Sequence, residues 1–290
     1  MNTPTDENDS YDDDFTADIV DAHCHLNLPP LSDNISDVIK EAKAAGLKKL
    51  VTCSVSSGDD WERTRSIASL HNGFVIPFFG LHPCYLAGHL TESGGGSCWE
   101  SELEKLLQAD ANAHVGECGL DLRVKKEVSL EVQEQYLLRH ISLASRWGRV
   151  LCIHCVQSWG RLYKILKEQY APCAAEKAMQ GVILHSSNGI PEAMIGGFAA
   201  LPDVFFSLNG RHTTSDKEHA TIRSIPMERM LLETDSPDQL PLYFRDLNLT
   251  HNHPRLLRYT VVDIARLRKV SPSSLANITT ANFNRLFRVL

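Results

Sequence analysis

Asp21-Ala22-His23-Cys24-His25 places two imidazoles two residues apart, after the apolar pair Ile19-Val20 and before the Pro-rich Leu28-Pro29-Pro30. This is the sequence of a strand and its exit. Alternate side chains of a strand share a face, so His23 and His25 point together and Cys24 points away. Two imidazoles so placed can share a metal ion. Such a pair is common on protein surfaces. Its weight comes from the residues at later strand ends: His82 after a third strand, Glu117 on a fourth, His154 on a fifth, His185 on a sixth and Asp235 after an eighth. The imidazoles of His23, His25, His154 and His185 with the carboxylates of Glu117 and Asp235 exceed what one tetrahedral ion needs, and suit two divalent ions. In this reading Glu117 bridges the ions, His23, His25 and Asp235 complete one site, and His154 and His185 complete the other. Two divalent ions against two carboxylates leave excess positive charge, which favours an anion such as phosphate. Paired metals stabilise both the attacking and the leaving oxygen in phosphoryl transfer and lower the pKa of bound water.

The elements that must position these residues alternate strand with helix. Short apolar strands are expected around Ile19-Val20 and at 50–53, 74–79, 113–117, 150–154, 181–185, 204–208 and 230–233. Helices are expected over 34–46, 59–71, 99–109, 127–147, 158–170, 191–199, 215–223, 253–268 and 272–288, and a Gly-rich loop over 88–98. Eight such strands predict an α/β fold, a (β/α)8 TIM barrel of the metal-dependent hydrolase type, with its site at the C-terminal strand ends. His114 would open its strand at the opposite mouth. His71, His89, His140, His219, His251 and His253 fall on helices or loops and are expected at the surface.

The 290-residue chain suits a single barrel of this kind. Residues 1–18 hold seven acids and no Lys or Arg, so residues 1–17 are expected as a disordered acidic tail before a domain over 18–290. Without those seven acids the body carries 29 acidic and 29 basic residues. A neutral body lacks the broad basic face of a tight duplex-DNA binder, though not the means to grip a nucleic acid at one site. No run of 18 apolar residues predicts a membrane span, and the N-terminus lacks the pattern of a secretory signal. Most of the eight scattered cysteines read as small buried hydrophobes in a reducing, intracellular compartment, cytoplasmic or nuclear. Cys152 and Cys155, three apart on a strand, face opposite sides and suit neither a dithiol nor a zinc clamp.

Taken together, Asp21-Ala22-His23-Cys24-His25, Gly80-Leu81-His82-Pro83, Gly116-Glu117-Cys118-Gly119-Leu120-Asp121, Ile153-His154 and Leu232-Glu233-Thr234-Asp235-Ser236-Pro237 resemble the motifs of the TatD family of metal-dependent deoxyribonucleases, in order and spacing. So does Ile278-Thr279-Thr280-Ala281-Asn282-Phe283-Asn284-Arg285-Leu286-Phe287. The resemblance spans roughly residues 18–288. It implies a TIM barrel that hydrolyses DNA phosphodiesters with Mg2+, Mn2+ or Zn2+, as a 3′→5′ exonuclease on single strands or 3′ ends. It also implies His23, His25, Glu117, His154, His185 and Asp235 as metal ligands, the six already reached from their strand-end positions. A monomer is expected, with DNA as its partner and no membrane.

Three stretches depart from the family pattern. Val156 stands where an Arg usually follows the strand-five histidine by two residues. His185-Ser186-Ser187-Asn188-Gly189 and Ser207-Leu208-Asn209-Gly210-Arg211 differ from the usual Ser-Gly-containing segments. Arg211 either replaces the missing cation or is a solvated loop residue. Asp235 is expected to orient or deprotonate the attacking water, and His82 to donate to the phosphate. Glu233 is expected to support a ligand from behind, and Asp121 to buttress either a histidine or the loop after the fourth strand. Arg123 reaches a phosphate or stays at the surface. Trp159 either stacks on a base or packs in the core, and Tyr243-Phe244 are further stacking candidates. A metal-dependent amidohydrolase or esterase on the same scaffold is the alternative, although such enzymes often carry a carbamylated Lys where Glu117 stands. A non-catalytic binding barrel is the other.

Overall fold

The computed structural model describes residues 15–92, 99–175, 178–211, 215–245 and 249–288. Eight parallel strands follow one another around a barrel: β1 Ile19–Cys24, β2 Leu47–Cys53, β3 Val75–Phe79, β4 His114–Asp121, β5 Val150–Val156, β6 Gly181–Leu184, β7 Val204–Leu208 and β8 Met230–Leu232. Helices alternate with the strands and cover the outer face. A parallel barrel buries both faces of its strands, so its strands read as continuous apolar runs. The lumen is packed by Val20, Val51, Ile76, Phe78, Val150, Ile183, Phe205 and Leu231 with Cys53 and Cys152. The last helix, Pro272–Phe287, closes the lower mouth with Phe283, Leu286 and Phe287. Ser271 caps that helix by accepting from the Ser274 amide at 3.1 Å, with Pro272 at its first position.

β1 and β8 meet mainly beyond the end of β8. The Asp235 amide donates to the His23 carbonyl at 2.9 Å, and the His25 amide donates to the Ser236 carbonyl at 2.7 Å. Asp21, fully buried, accepts from the Thr234 amide at 3.0 Å and the Thr234 hydroxyl at 2.6 Å. The conspicuous first motif therefore also closes the barrel.

Several local expectations are corrected. β4 runs four residues past Glu117, which sits inside the strand at a break in register between Val115 and Cys118. Gly119 lies at φ +150°, and a Cβ there would stand 1.9 Å from the His154 carbonyl oxygen, so only glycine lets β4 and β5 approach so closely. The first part of the expected 88–98 loop continues the helix Leu86–Glu92; residues 93–98, with the three glycines, lie outside the described residues. The expected helix 158–170 is α-helical over Trp159–Ile165 and then π-wound over Leu166–Tyr170. Of the expected acidic tail, residues 1–14 lie outside the described residues, while Phe15 is buried with the Arg258 guanidinium over its ring.

His140, His89 and His253, expected at the surface, are buried. His140 accepts from the Leu81 amide at 3.2 Å, donates to the Tyr136 carbonyl at 2.7 Å and stacks on Trp99. With both nitrogens satisfied, an imidazole packs as an apolar ring, which sequence patterning cannot reveal.

His114 opens β4 at the lower mouth as expected, between Phe78 and Phe287, and its Nδ1 accepts from the Val150 amide at 3.1 Å. Burial, and then the nearby Arg149 guanidinium, push its imidazole down to about 3. A depressed folded-state pKa means that its contribution is present above the unfolded pKa near 6.5 and is lost as pH falls towards about 3. His114→Asn keeps an acceptor without the basic site. In EDTA-treated protein, denaturant midpoints measured between pH 6.5 and 4 should fall less steeply for this variant, by up to about one proton.

Candidate metal centre

The residues expected at the strand ends converge on the upper mouth. His23 is on β1 and His25 follows it; Glu117 is on β4, His154 on β5, and His185 directly after β6. Asp235 lies three residues beyond β8 in the left-handed region, at φ 54°. Ser186 and Gln157, just past β6 and β5, share that backbone region at 50° and 55°. Such conformations cost L-residues about 1 kcal/mol or more, and persist where the surroundings hold them.

The donor atoms form two groups around one carboxylate. In the first, His23 Nε2 is 3.2 Å from His25 Nε2, 3.3 Å from Glu117 Oε2 and 3.4 Å from Asp235 Oδ1. His25 Nε2 is 3.5 Å from Glu117 Oε2 and 3.3 Å from Asp235 Oδ1. With metal–ligand bonds of about 2.0–2.1 Å, tetrahedral donor atoms stand about 3.3 Å apart. The five distances are those of ligands around one ion. In the second group, Glu117 Oε1 is 3.0 Å from His154 Nδ1 and 2.9 Å from His185 Nε2, and these two nitrogens are 3.1 Å apart. Glu117 thus offers one oxygen to each group. Its Oε1 is buried without a hydrogen-bond partner, despite the nitrogens around it. Lone pairs facing one another across about 3 Å are what a cation brings together, so the donor set fits divalent metal.

The far nitrogen of each ring fixes its tautomer. His25 Nδ1 donates to the Cys53 carbonyl at 2.8 Å, and His154 Nε2 donates to Asp121 Oδ2 at 3.1 Å. His185 Nδ1 lies 3.5 Å from Glu233 Oε1, which also accepts from the Ser186 amide at 2.7 Å. His23 Nδ1 contacts the sulfurs of Cys152 and Cys53 at 3.3 and 3.4 Å. In the neutral forms of His25 and His154 the nitrogen facing the centre therefore keeps its lone pair for a cation. His82 is the reverse. Its Nδ1 accepts from the Cys84 amide at 3.1 Å, so its proton is on Nε2, 3.3 Å from Glu117 Oε1. His82 therefore faces the centre as a donor.

Charge fits the same picture. Burial alone would raise the Glu117 carboxyl, but the imidazoles of His185, His82 and His23 outweigh it and hold the group well below the usual carboxylate range. Asp235 is likewise held down against burial, by bonds from His23 and His25. Despite burial, His23 and His185 are pushed well up, by the Cys53 and Cys152 thiols with Glu117 at His23 and by Glu117 at His185. Without metal, the carboxylates hold protons on the imidazoles, and a divalent ion would displace them. His82 is the exception, pushed down to about 4 by burial and neutral at pH 7.

A family model described as TatD related DNase matches residues 20–288. The chain belongs to that family. Among its relatives, an uncharacterized metal-dependent hydrolase TatD of Mycobacterium tuberculosis is 30% identical over 93% of this chain and 97% of its own length. Deoxyribonuclease TATDN3 of Homo sapiens is 29% identical, covering 93% of this chain and 94% of the relative. The crystal structure of YjjV, a TatD homolog of Escherichia coli, superposes with a TM-score of 0.79 at 24% identity, covering 95% of this chain and all of that one.

In this TatD-family barrel the centre opens into a cavity of about 730 Å3, lined among others by His82, Tyr85, Arg123, Val156, Trp159 and Arg211. The two stretches that depart from the family pattern clasp each other. Asn188 and Asn209 exchange bonds at 3.0 and 3.1 Å, and the Asn209 amide nitrogen donates to Ser186 Oγ at 2.9 Å. Asn209 Oδ1 accepts from the Arg211 backbone amide, and the Arg211 guanidinium donates to Gln239 Oε1 at 2.9 Å. That partner is neutral, and Asp238 on the same cavity wall feels the Arg211 charge. Arg123 is paired with the Asp121 carboxylate through several bonds, the shortest 2.6 Å. Trp159 is buried against Phe198, and Phe244 packs with Leu240 and Leu256. The side chain of Tyr243 lies outside the described residues. Sequence reading missed Cys53 and Cys152 as neighbours of His23, because β2 and β5 are not adjacent strands.

Glu117→Gln removes an anionic oxygen from both donor groups. The purified variant should lose most of its bound divalent metal by mass spectrometry, whereas His82→Ala, which removes only a donor, should keep it.

Proposed function

We propose that this TatD-family protein is a metal-dependent phosphodiesterase acting on DNA, as a monomer that trims single strands or 3′ ends within a reducing intracellular compartment. The observation that carries the reading is the single Glu117 carboxylate serving two donor groups. His23, His25, Glu117 Oε2 and Asp235 would hold one divalent ion, and Glu117 Oε1, His154 and His185 the other. Bound there, Mg2+, Mn2+ or Zn2+ would polarise a phosphoryl oxygen and make water a better nucleophile.

The chain's own residues supply the rest. Asp235, at the cavity floor, orients the attacking water and accepts its proton. Neutral His82 presents Nε2–H towards the centre, placed to donate to a phosphate oxygen whose negative charge grows as the bond breaks. Asp121 holds His154 in the tautomer that faces the centre, and Glu233 places its negative charge 3.5 Å behind His185 Nδ1. Arg211 supplies the cation that Val156 does not, since it lines the same cavity and its hydrogen-bond partner Gln239 is neutral. Arg123, already matched by Asp121, is not needed for that role. Trp159 serves the wall by packing on Phe198 rather than by stacking on a base.

Single-stranded oligonucleotides incubated with Mg2+, Mn2+ or Zn2+ should shorten from the 3′ end and stay intact in EDTA. Asp235→Asn should lower kcat by at least about 100-fold with the fold retained. Arg211→Ala should raise KM about tenfold with little change in kcat. Absence of cleavage with every metal, alongside turnover of a lactone or amide, would move the assignment to the amidohydrolase side.

A further inference from the structure

Four imidazoles face the proposed centre, and three of them rest on oxygen: His25 on the Cys53 carbonyl, His154 on the Asp121 carboxylate and His185 against the Glu233 carboxylate. His23 is different. Its Nδ1 points down into the lumen and meets two sulfurs, Cys152 Sγ at 3.3 Å and Cys53 Sγ at 3.4 Å. All three residues are fully buried, so bulk water does not reach them. An imidazole with one nitrogen in a metal centre needs its other nitrogen protonated and held. Here the two sulfurs offer the lone pairs.

We propose that Cys53 and Cys152 are positioning residues of the metal centre, whose sulfurs receive the Nδ1 proton of His23 and so aim its Nε2 lone pair at the ion. The pair reaches His23 from β2 and β5, strands that are not hydrogen-bonded neighbours. It lies in the lumen directly beneath the ligands, packed with the apolar side chains of Val51, Val150, Ile183 and Phe205. Cys53 supports both histidines of the first motif, one through its carbonyl and one through its sulfur. A sulfur acceptor also suits the place. It is large enough to reach the imidazole and weakly polar enough to lie among Val51, Ile183 and Phe205, with the other cysteine as its second partner. Of the buried cysteines, Cys24 and Cys118 are different in kind, since their thiols donate to backbone carbonyls of Val51 and Cys152 and touch no imidazole in these bonds.

The proposal rests on the metal assignment above, and its test reads metal binding rather than DNA cleavage. Affinity for Zn2+ and for Mn2+ is measured by competition with a chromophoric chelator, across pH, for the full chain and its variants. The double variant Cys53→Ala with Cys152→Ala should bind the tighter ion about 10- to 100-fold more weakly. Replacing both by Ser, which restores an acceptor at each position, should recover most of that loss. Cys118→Ala, which removes a buried thiol of the outer core, should lower thermal stability without moving either affinity. The visible spectrum of the Co2+-loaded protein should change in the Ala pair and not in Cys118→Ala. Wild-type affinity in the Ala pair would overturn the proposal and leave the metal assignment standing. Equal losses in the Ala pair, the Ser pair and Cys118→Ala would reduce the cysteines to core packing and overturn it as well. A wild-type chain that binds no divalent ion would overturn both.

Discussion

Six titratable side chains share a space at the barrel mouth from which water is largely excluded. Burying Glu117 and Asp235 would be prohibitive unless positive charge were supplied at the same point. Without metal that charge is available only as protons on His23, His25, His154 and His185, which is why those imidazoles bind protons more tightly than usual. A set of donors spaced as metal ligands would let a divalent cation resolve the same tension. The rest of the upper mouth follows from this requirement, since each ring must turn one nitrogen inwards and find a partner for the other.

The barrel makes the solution geometrically possible. Parallel strands all end at the same mouth, so residues more than 200 positions apart arrive within a few Å of one another. The join between β1 and β8 is tied by the same segments that carry the site. Asp21 binds Thr234, and the backbone bonds of His23 and His25 run to Asp235 and Ser236. Closing the barrel and bringing Asp235 to the two histidines are therefore one event. At β4, the break in register turns Glu117 into the lumen, and Gly119 lets the strand lie against the His154 backbone.

The departures from the family pattern acquire a physical meaning in three dimensions. The segments after β6 and β7 are altered together and bond to each other through Asn188, Asn209 and Ser186. That clasp holds the loop from which Arg211 enters the cavity. Val156 and Arg211 lie on different strand exits, so a cation lost from one wall and one present on another belong to the same enclosure.

Much of this was legible in the chain. Apolar strands of three to eight residues alternating with helices point to a parallel barrel, because helices cover the outer face of such strands and the closed lumen buries the inner one. The HxH pair and the later His, Glu and Asp residues were identifiable because a barrel sends every strand end to one place. Other features were not legible. His140, His89 and His253 looked like surface residues because the partners that satisfy a buried imidazole are set by packing. Glu117 looked like a strand terminus because a break in register leaves no periodic trace. The tautomers that make His82 a donor and His25 and His154 acceptors depend on a backbone amide, a carbonyl and a carboxylate contributed by other segments. The sequence by itself determined which chemical groups are available and that a barrel would gather them. The tertiary structure alone decided which atom of each group faces the centre, because that depends on hydrogen bonds between segments distant along the chain.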